Sequence, residues 1–103
     1  MSVIGEHGEG LGDHQEQEHG LLLYQTTLSV PWVLAGPGLT PGRVAGPVRT
    51  LELLPTLLAR LGVAAPGGLP GREALTLSGP GDEAPAAAYA ETLMPWEDYG
   101  WQP

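Results

Sequence analysis

Glycine and proline interrupt this chain so often that few windows remain in which a regular element of any length can form. Sixteen glycines and eleven prolines fall among 103 residues, which puts the chain at the edge of the loop-rich range. One window keeps a helical repeat: TLELLPTLLARLG, residues 50–62, with Leu51, Leu54, Leu57, Leu58 and Leu61 recurring on one side. Thr50 is placed to act as N-cap, Glu52 sits in the first turn and Gly62 supplies a stop. A proline in a helix interior costs about 3 kcal/mol, so Pro55 requires the helix to begin close to it, near residues 51–53. The run VPWVLAG, residues 30–36, is continuously apolar and reads as a buried strand. The helix is expected to pack on that strand through its leucine stripe.

The rest is short or irregular. MSVIG at the start reads as the end of a strand running into a glycine turn, and LLLYQTTL at 21–28 suits a short helix. GPGLTPGRVAGP, residues 36–47, is turn chemistry throughout. Residues 63–88 read as surface loop. The segment YAETLMPWEDYGWQP, residues 89–103, holds two of the three tryptophans and two of the three tyrosines, and the expected role of Trp96, Tyr99 and Trp101 is hydrophobic packing. The fold class is therefore α/β: a few core strands, one main helix at about 51–61, and long loops.

Charge narrows the partners. The net charge is −8, with four arginines and no lysine. A nucleic-acid binder needs the opposite sign to neutralise phosphates, and so does a protein that binds anionic membrane surfaces. Arg43, Arg49, Arg60 and Arg72 read as surface charges, with no pair spaced as a phosphate clamp. The longest apolar runs are far shorter than a membrane span, and the first residues turn acidic too early for a secretory signal. With no cysteine, there is no disulfide framework and no thiolate site.

The chemistry is concentrated in GEHGEGLGDHQEQEHG, residues 5–20. Three histidines and five carboxylates fall within these sixteen residues, interleaved with five glycines. On motif grounds alone, such a stretch is a solvated acidic loop or a weak, nonspecific metal binder. The histidines do not fit a metalloprotease motif, because His14 and His19 are five apart rather than four.

The segments in order are EHGEGLGDH, EHG, LYQTTLSVPWVLAGPG, LELLPTLLARLGV, GREAL, YAET and YGW. Together they resemble the C-terminal part of a sulfatase-family hydrolase, in the alkaline-phosphatase superfamily. That family runs as a strand ending in S-D-H-G-E-x-L-G-x-H, then HG, a tyrosine, a V-P strand and G-P-G. A V-x-x-x-D-L-x-P-T-L-L helix, a G-R-S-L turn and a Y-x-E-T segment follow. The resemblance covers nearly the whole chain. It implies a partial alkaline-phosphatase-like fold spanning 1–103, with core motifs in 1–62 and a loop-rich tail in 63–103.

By the same resemblance, Glu6 and His7 match the acidic residue and histidine that bind a divalent cation. Calcium, manganese, zinc or magnesium would all be acceptable to such a pair. Gly5 and Gly8 flank it and permit the sharp bend that two adjacent ligands need. His19, twelve residues after His7, matches the family's HG and is expected to contact the anionic oxygens of a sulfate or phosphate ester, with Gly20 letting the backbone pass close by. Glu9, His14, Glu16 and Glu18 are expected to be solvated. Glu6 and Glu52 stand where the family has aspartate.

The family nucleophile, a Cys or Ser in C/S-x-P-x-R or a Thr in phosphoryl-transferring relatives, has no counterpart here. Ser29-Val30-Pro31 is not one, because Val33 stands where arginine is required. The expectation is a fragment of a metal-dependent ester hydrolase, inactive unless an upstream half completes it. The rival expectation is a non-catalytic acidic metal-binding or interaction module derived from that family. The choice among sulfate, phosphate and phosphonate esters rests on the nucleophile and pocket.

Overall fold

In a computed structural model of the chain, residues 1–44, 46–75 and 87–102 are described. The chain forms two compact units, Met1–Thr40 with Tyr89–Pro103, and Pro41–Ala88. Together they hold a two-stranded sheet and a few short helices, a small α/β arrangement.

The first unit is built on strands β1, Ser2–Ile4, and β2, Trp32–Leu34, paired antiparallel with Val3 opposite Val33 and Ile4 opposite Trp32. Backbone bonds continue the pairing at both ends, from Ala35 N–H to Met1 O (2.9 Å) and from Gly5 N–H to Pro31 O (3.0 Å). The Trp32 indole N–H donates across the ribbon to Ser2 Oγ at 2.9 Å. The strand expected over 30–36 is thus shorter, and it is not a buried interior strand. Val3 and Val33 are exposed while Ile4, Trp32 and Leu34 are half-buried, the alternation of a ribbon covered on one face.

Helix α1, Gln25–Leu28, lies where a short helix was expected. Its buried Thr27 turns its hydroxyl back to Tyr24 O (3.0 Å) and Leu22 O (3.3 Å). A second helix in this unit, Met94–Tyr99, was not anticipated. Proline in its first turn and left-handed Gly100 at its end mark it out. The Thr92 hydroxyl donates to Gly20 O, fixing the approach to this helix beside the histidine-rich segment. The aromatic tail is not buried: Trp96, Tyr99 and Trp101 are all exposed, with the Tyr99 and Trp101 rings tilted against each other at 6.0 Å between centroids.

The second unit centres on the helix Leu53–Leu61, entered through a 3-10 turn, Thr50–Glu52, and closed by left-handed Gly62. These bounds fit the expected start near Pro55. The cap differs, because Arg49 occupies the N-cap position rather than Thr50. The Glu52 carboxylate, 2% exposed, accepts from Arg49 N–H at 2.8 Å and from the Arg49 guanidinium at 2.5 Å. Burial pushes the Glu52 carboxyl up, but the hydrogen bonds and charge of Arg49 outweigh it and hold the group below its ordinary range.

Thr56, fully buried, ties the P-T-L-L helix to the G-R-E-A-L turn. Its Oγ1 donates to Glu52 O at 2.5 Å and accepts from Ala74 N–H at 2.8 Å. The leucine stripe is not the core it was expected to be. Leu51 and Leu54 are exposed, Leu61 is 75% exposed, and Leu57 and Leu58 are half-buried. Helical spacing identifies which side is apolar, but not what covers it. Residues 63–75 contain no strand or α-helix, as expected of that loop, and the rest of it up to 86 lies outside the described residues.

Candidate functional site

The histidine-rich segment leaves β1 at Gly5 and is pinned at two places. Gly8 N–H donates to Thr27 O at 2.8 Å. A Cβ on Gly8 would collide with the Thr26 carbonyl, so this close approach requires glycine. Beyond it the chain folds back on itself as a tight loop, with Gly10 N–H to Glu18 O (2.7 Å), Leu11 N–H to Gln17 O (3.2 Å) and Gly12 N–H to Glu16 O (2.8 Å). Leu11, His14 and Gln15 adopt positive φ at the tip, a conformation that costs on the order of 1–3 kcal/mol per residue and persists only when surroundings enforce it.

This double-back brings His19 onto His7. Their rings stack with centroids 3.6 Å apart and planes 20° from parallel. Glu9 joins them: its Oε1 lies 2.9 Å from His19 Nδ1 and 3.8 Å from His7 Nδ1. His7 Nδ1 is also 2.9 Å from Gly8 O. A carbonyl oxygen accepts only from an N–H, so this bond assigns the His7 proton to Nδ1 and leaves Nε2 as the lone-pair nitrogen. The carboxylate of Glu9 likewise places a proton on His19 Nδ1. Imidazoles held at Nδ1 by a carbonyl and a carboxylate, with Nε2 free, have the orientation seen in metal-binding histidines. One ligand atom from each of His7, Glu9 and His19 lies within 4.8 Å of the others, and all three residues are exposed. Two imidazoles and a carboxylate are a donor set that suits a borderline divalent cation.

The other residues of the stretch separate from this cluster. Glu6 is exposed and makes no hydrogen bond or ion pair among the described residues. His14 stacks on Tyr24 with centroids 3.6 Å apart and sits 3.2 Å from Asp13 Oδ2. Glu18 is exposed, as expected. Glu16 is not solvated: it is 7% exposed, and its Oε1 accepts from Leu21 N–H and Leu22 N–H, both at 3.0 Å. Glu9 is exposed but engaged. The expectation that Glu9 is solvated missed its place beside His7 and His19. Nothing in the local pattern singles out Glu16.

Three curated proteins are similar to this chain. A Delta 4,5-hexuronate-2-O-sulfatase of Bacteroides thetaiotaomicron is 33% identical over 70 residues, 62% of this chain and 14% of that protein. The uncharacterized sulfatase YidJ of Escherichia coli K12 is 31% identical over 75 residues, 73% of this chain and 15% of that protein. Arylsulfatase K of Mus musculus is 33% identical over 73 residues, 70% of this chain and 13% of that protein. The chain therefore spans about one seventh of the length of these relatives. No protein-family model matches it, and no solved structure does.

Proposed function

We propose that this chain, a relative of the sulfatases along most of its length, carries part of the metal- and anion-binding site of a metal-dependent hydrolase of sulfate or phosphate esters. The observation that carries the reading is the stacking of His7 and His19, twelve residues apart in sequence, with Glu9 against both. In this reading Glu6 and His7 contribute metal ligands. His19, oriented by Glu9, donates from Nε2–H to the anionic oxygens of the ester. The cation, when bound, supplies Lewis-acid polarisation of those oxygens and activation of a nucleophile. The names of the relatives point to sulfate esters as the substrate class.

The 103 residues include no cysteine and no C/S-x-P-x-R sequence. An aligned nucleophile is needed for covalent catalysis of this kind, so the chain by itself turns over neither aryl sulfates nor aryl phosphates. The test joins the chain to an upstream sulfatase segment that carries the nucleophile. His19→Ala then lowers turnover by roughly 100- to 1,000-fold, as loss of one transition-state donor does, and leaves metal affinity unchanged. Unchanged turnover would remove His19 from the mechanism, and turnover by the isolated chain would contradict the reading of its chemistry.

One observation favours a second reading. Because His7, Glu9 and His19 converge on one point, His19 and Glu9 would be metal ligands themselves. In that case His19→Ala and His7→Ala weaken metal binding alike.

A further inference from the structure

The third histidine of the stretch lies outside the cluster. His14 sits at the tip of the doubled-back loop, and its ring stacks on that of Tyr24 with centroids 3.6 Å apart and planes 10° from parallel. We infer that His14 and Tyr24 are positioning residues: their stack holds the loop in the register that sets His19 on His7. The inference rests on the reading of His7, Glu9 and His19 as the site, and not on which of them binds the cation.

The tip has little apolar packing to hold it. Leu11, the one aliphatic residue between Gly10 and Glu18, is 83% exposed. The backbone there is strained, since Leu11, His14 and Gln15 all have positive φ, and such conformations persist only where the surroundings enforce them. The Tyr24 ring is one such restraint. Tyr24 is the N-cap of α1, and its carbonyl accepts from Thr27 N–H (3.1 Å), Leu28 N–H (3.0 Å) and Thr27 Oγ1 (3.0 Å). The stack therefore fastens the tip to backbone that is itself fixed. Asp13 Oδ2 lies 3.2 Å from His14 Nδ1 on the same tip.

The same helix holds the base of the loop, where Gly8 N–H donates to Thr27 O at 2.8 Å. Tip and base are thus tied to the start and the end of one helical turn. Between these ties, the bonds from Gly10 N–H to Glu18 O and from Gly12 N–H to Glu16 O set which residues face each other. His19 follows directly on Glu18. In a paired segment, a slip of one residue turns every side chain to the other face, which would carry the His19 ring away from His7. The stack opposes that slip. Moving the tip by one residue puts Asp13 or Gln15 against Tyr24 in place of His14, and neither offers an aromatic face to the ring.

Amide hydrogen exchange and ring-proton NMR on the metal-free chain test this independently of what the cluster binds. His14→Asn removes the ring and keeps a residue that tolerates positive φ. Loss of one aromatic pair is expected to lower protection of the Gly10 and Gly12 amides by up to about tenfold, with the ring-proton shifts of His7 and His19 moving together toward those of free histidine. The Gly5 and Ala35 amides, bonded to Pro31 O and Met1 O in the ribbon, should keep their protection. Tyr24→Leu should reproduce these changes from the other side of the stack, and His14→Phe, which restores an aromatic face, should reverse them. Unchanged protection at Gly10 and Gly12 in both His14→Asn and Tyr24→Leu would overturn the inference. So would lost protection with unmoved His7 and His19 shifts, because the stack would then fix the tip alone. Equal loss at Gly5 and Ala35 in His14→Asn would make His14 a general stabiliser and overturn it too. The expected exchange and shift changes, together with no zinc binding by the parent chain, would uphold the positioning role and overturn the reading of the cluster as a metal site.

Discussion

Replacing Thr56 by valine removes a hydrogen-bonded link between the helix Leu53–Leu61 and the turn at Ala74. Valine keeps the shape of threonine, so no cavity opens and the transfer term is small. The hydroxyl, however, both donates to Glu52 O and accepts from Ala74 N–H. Its loss leaves the amide of Ala74, a residue 2% exposed, without an acceptor. A buried donor left unpaired costs about 1–3 kcal/mol. Thr56→Ser is the control: it keeps the hydroxyl and removes one methyl, worth about 0.8 kcal/mol for a buried carbon. Amide hydrogen exchange separates the two at a single site. In Thr56→Val, protection of the Ala74 amide should fall about tenfold or more, since each 1.4 kcal/mol is a factor of ten. In Thr56→Ser it should remain close to that of the parent chain. Equal protection in the parent and the valine variant would refute the argument, because Ala74 would not depend on Thr56 for its partner.

Other consequences follow from neighbouring features. The Glu52 carboxyl is held below its ordinary range, so the stability it contributes is fully present above the unfolded glutamate pKa of about 4.3 and is lost as pH falls through the lower, folded value. Urea unfolding at stepped pH should show that acid-side loss in the parent chain and a flatter profile in Glu52→Gln. Gly8→Ala should displace His7 and Glu9 without altering either side chain, because the added Cβ meets the Thr26 carbonyl, and the ring-current shifts of the stacked histidines in NMR should collapse. Leu61→Ala should change stability by no more than about 0.5 kcal/mol, as surface substitutions do; a larger loss in urea unfolding would show that the leucine stripe is covered.

The elements were legible to different degrees, and for physical reasons. The helix over 51–61 and its end at Gly62 could be read from leucine spacing and a glycine stop, because both are local. Its cap could not, since the identity of the N-cap depends on Glu52 folding back to Arg49 rather than on Thr50 being a favourable residue. The run 30–36 was legible as a strand, but a continuous apolar sequence does not report how many neighbours the strand has, and here it is half of a ribbon. The helix Met94–Tyr99 was hidden in a window rich in aromatics with no repeat, marked only by Pro95 and Gly100. Within the site, His7 and His19 could be singled out from motif order. That they stack was not legible, because it depends on the loop doubling back through the Gly10, Leu11 and Gly12 amides. Glu16 was misread as solvated for the same reason, since its partners are amides that only the folded loop brings to it.

The central claim is that residues 6, 7 and 19 divide into metal ligands and an anion contact. Calorimetric titration of zinc or manganese into the isolated chain tests it most directly, with Glu6→Gln, His7→Ala, Glu9→Gln and His19→Ala compared side by side. The account predicts that metal affinity falls in Glu6→Gln and His7→Ala and is retained in His19→Ala. Equal loss in His7→Ala, Glu9→Gln and His19→Ala, with Glu6→Gln unchanged, would contradict it and make the three converging side chains the metal site.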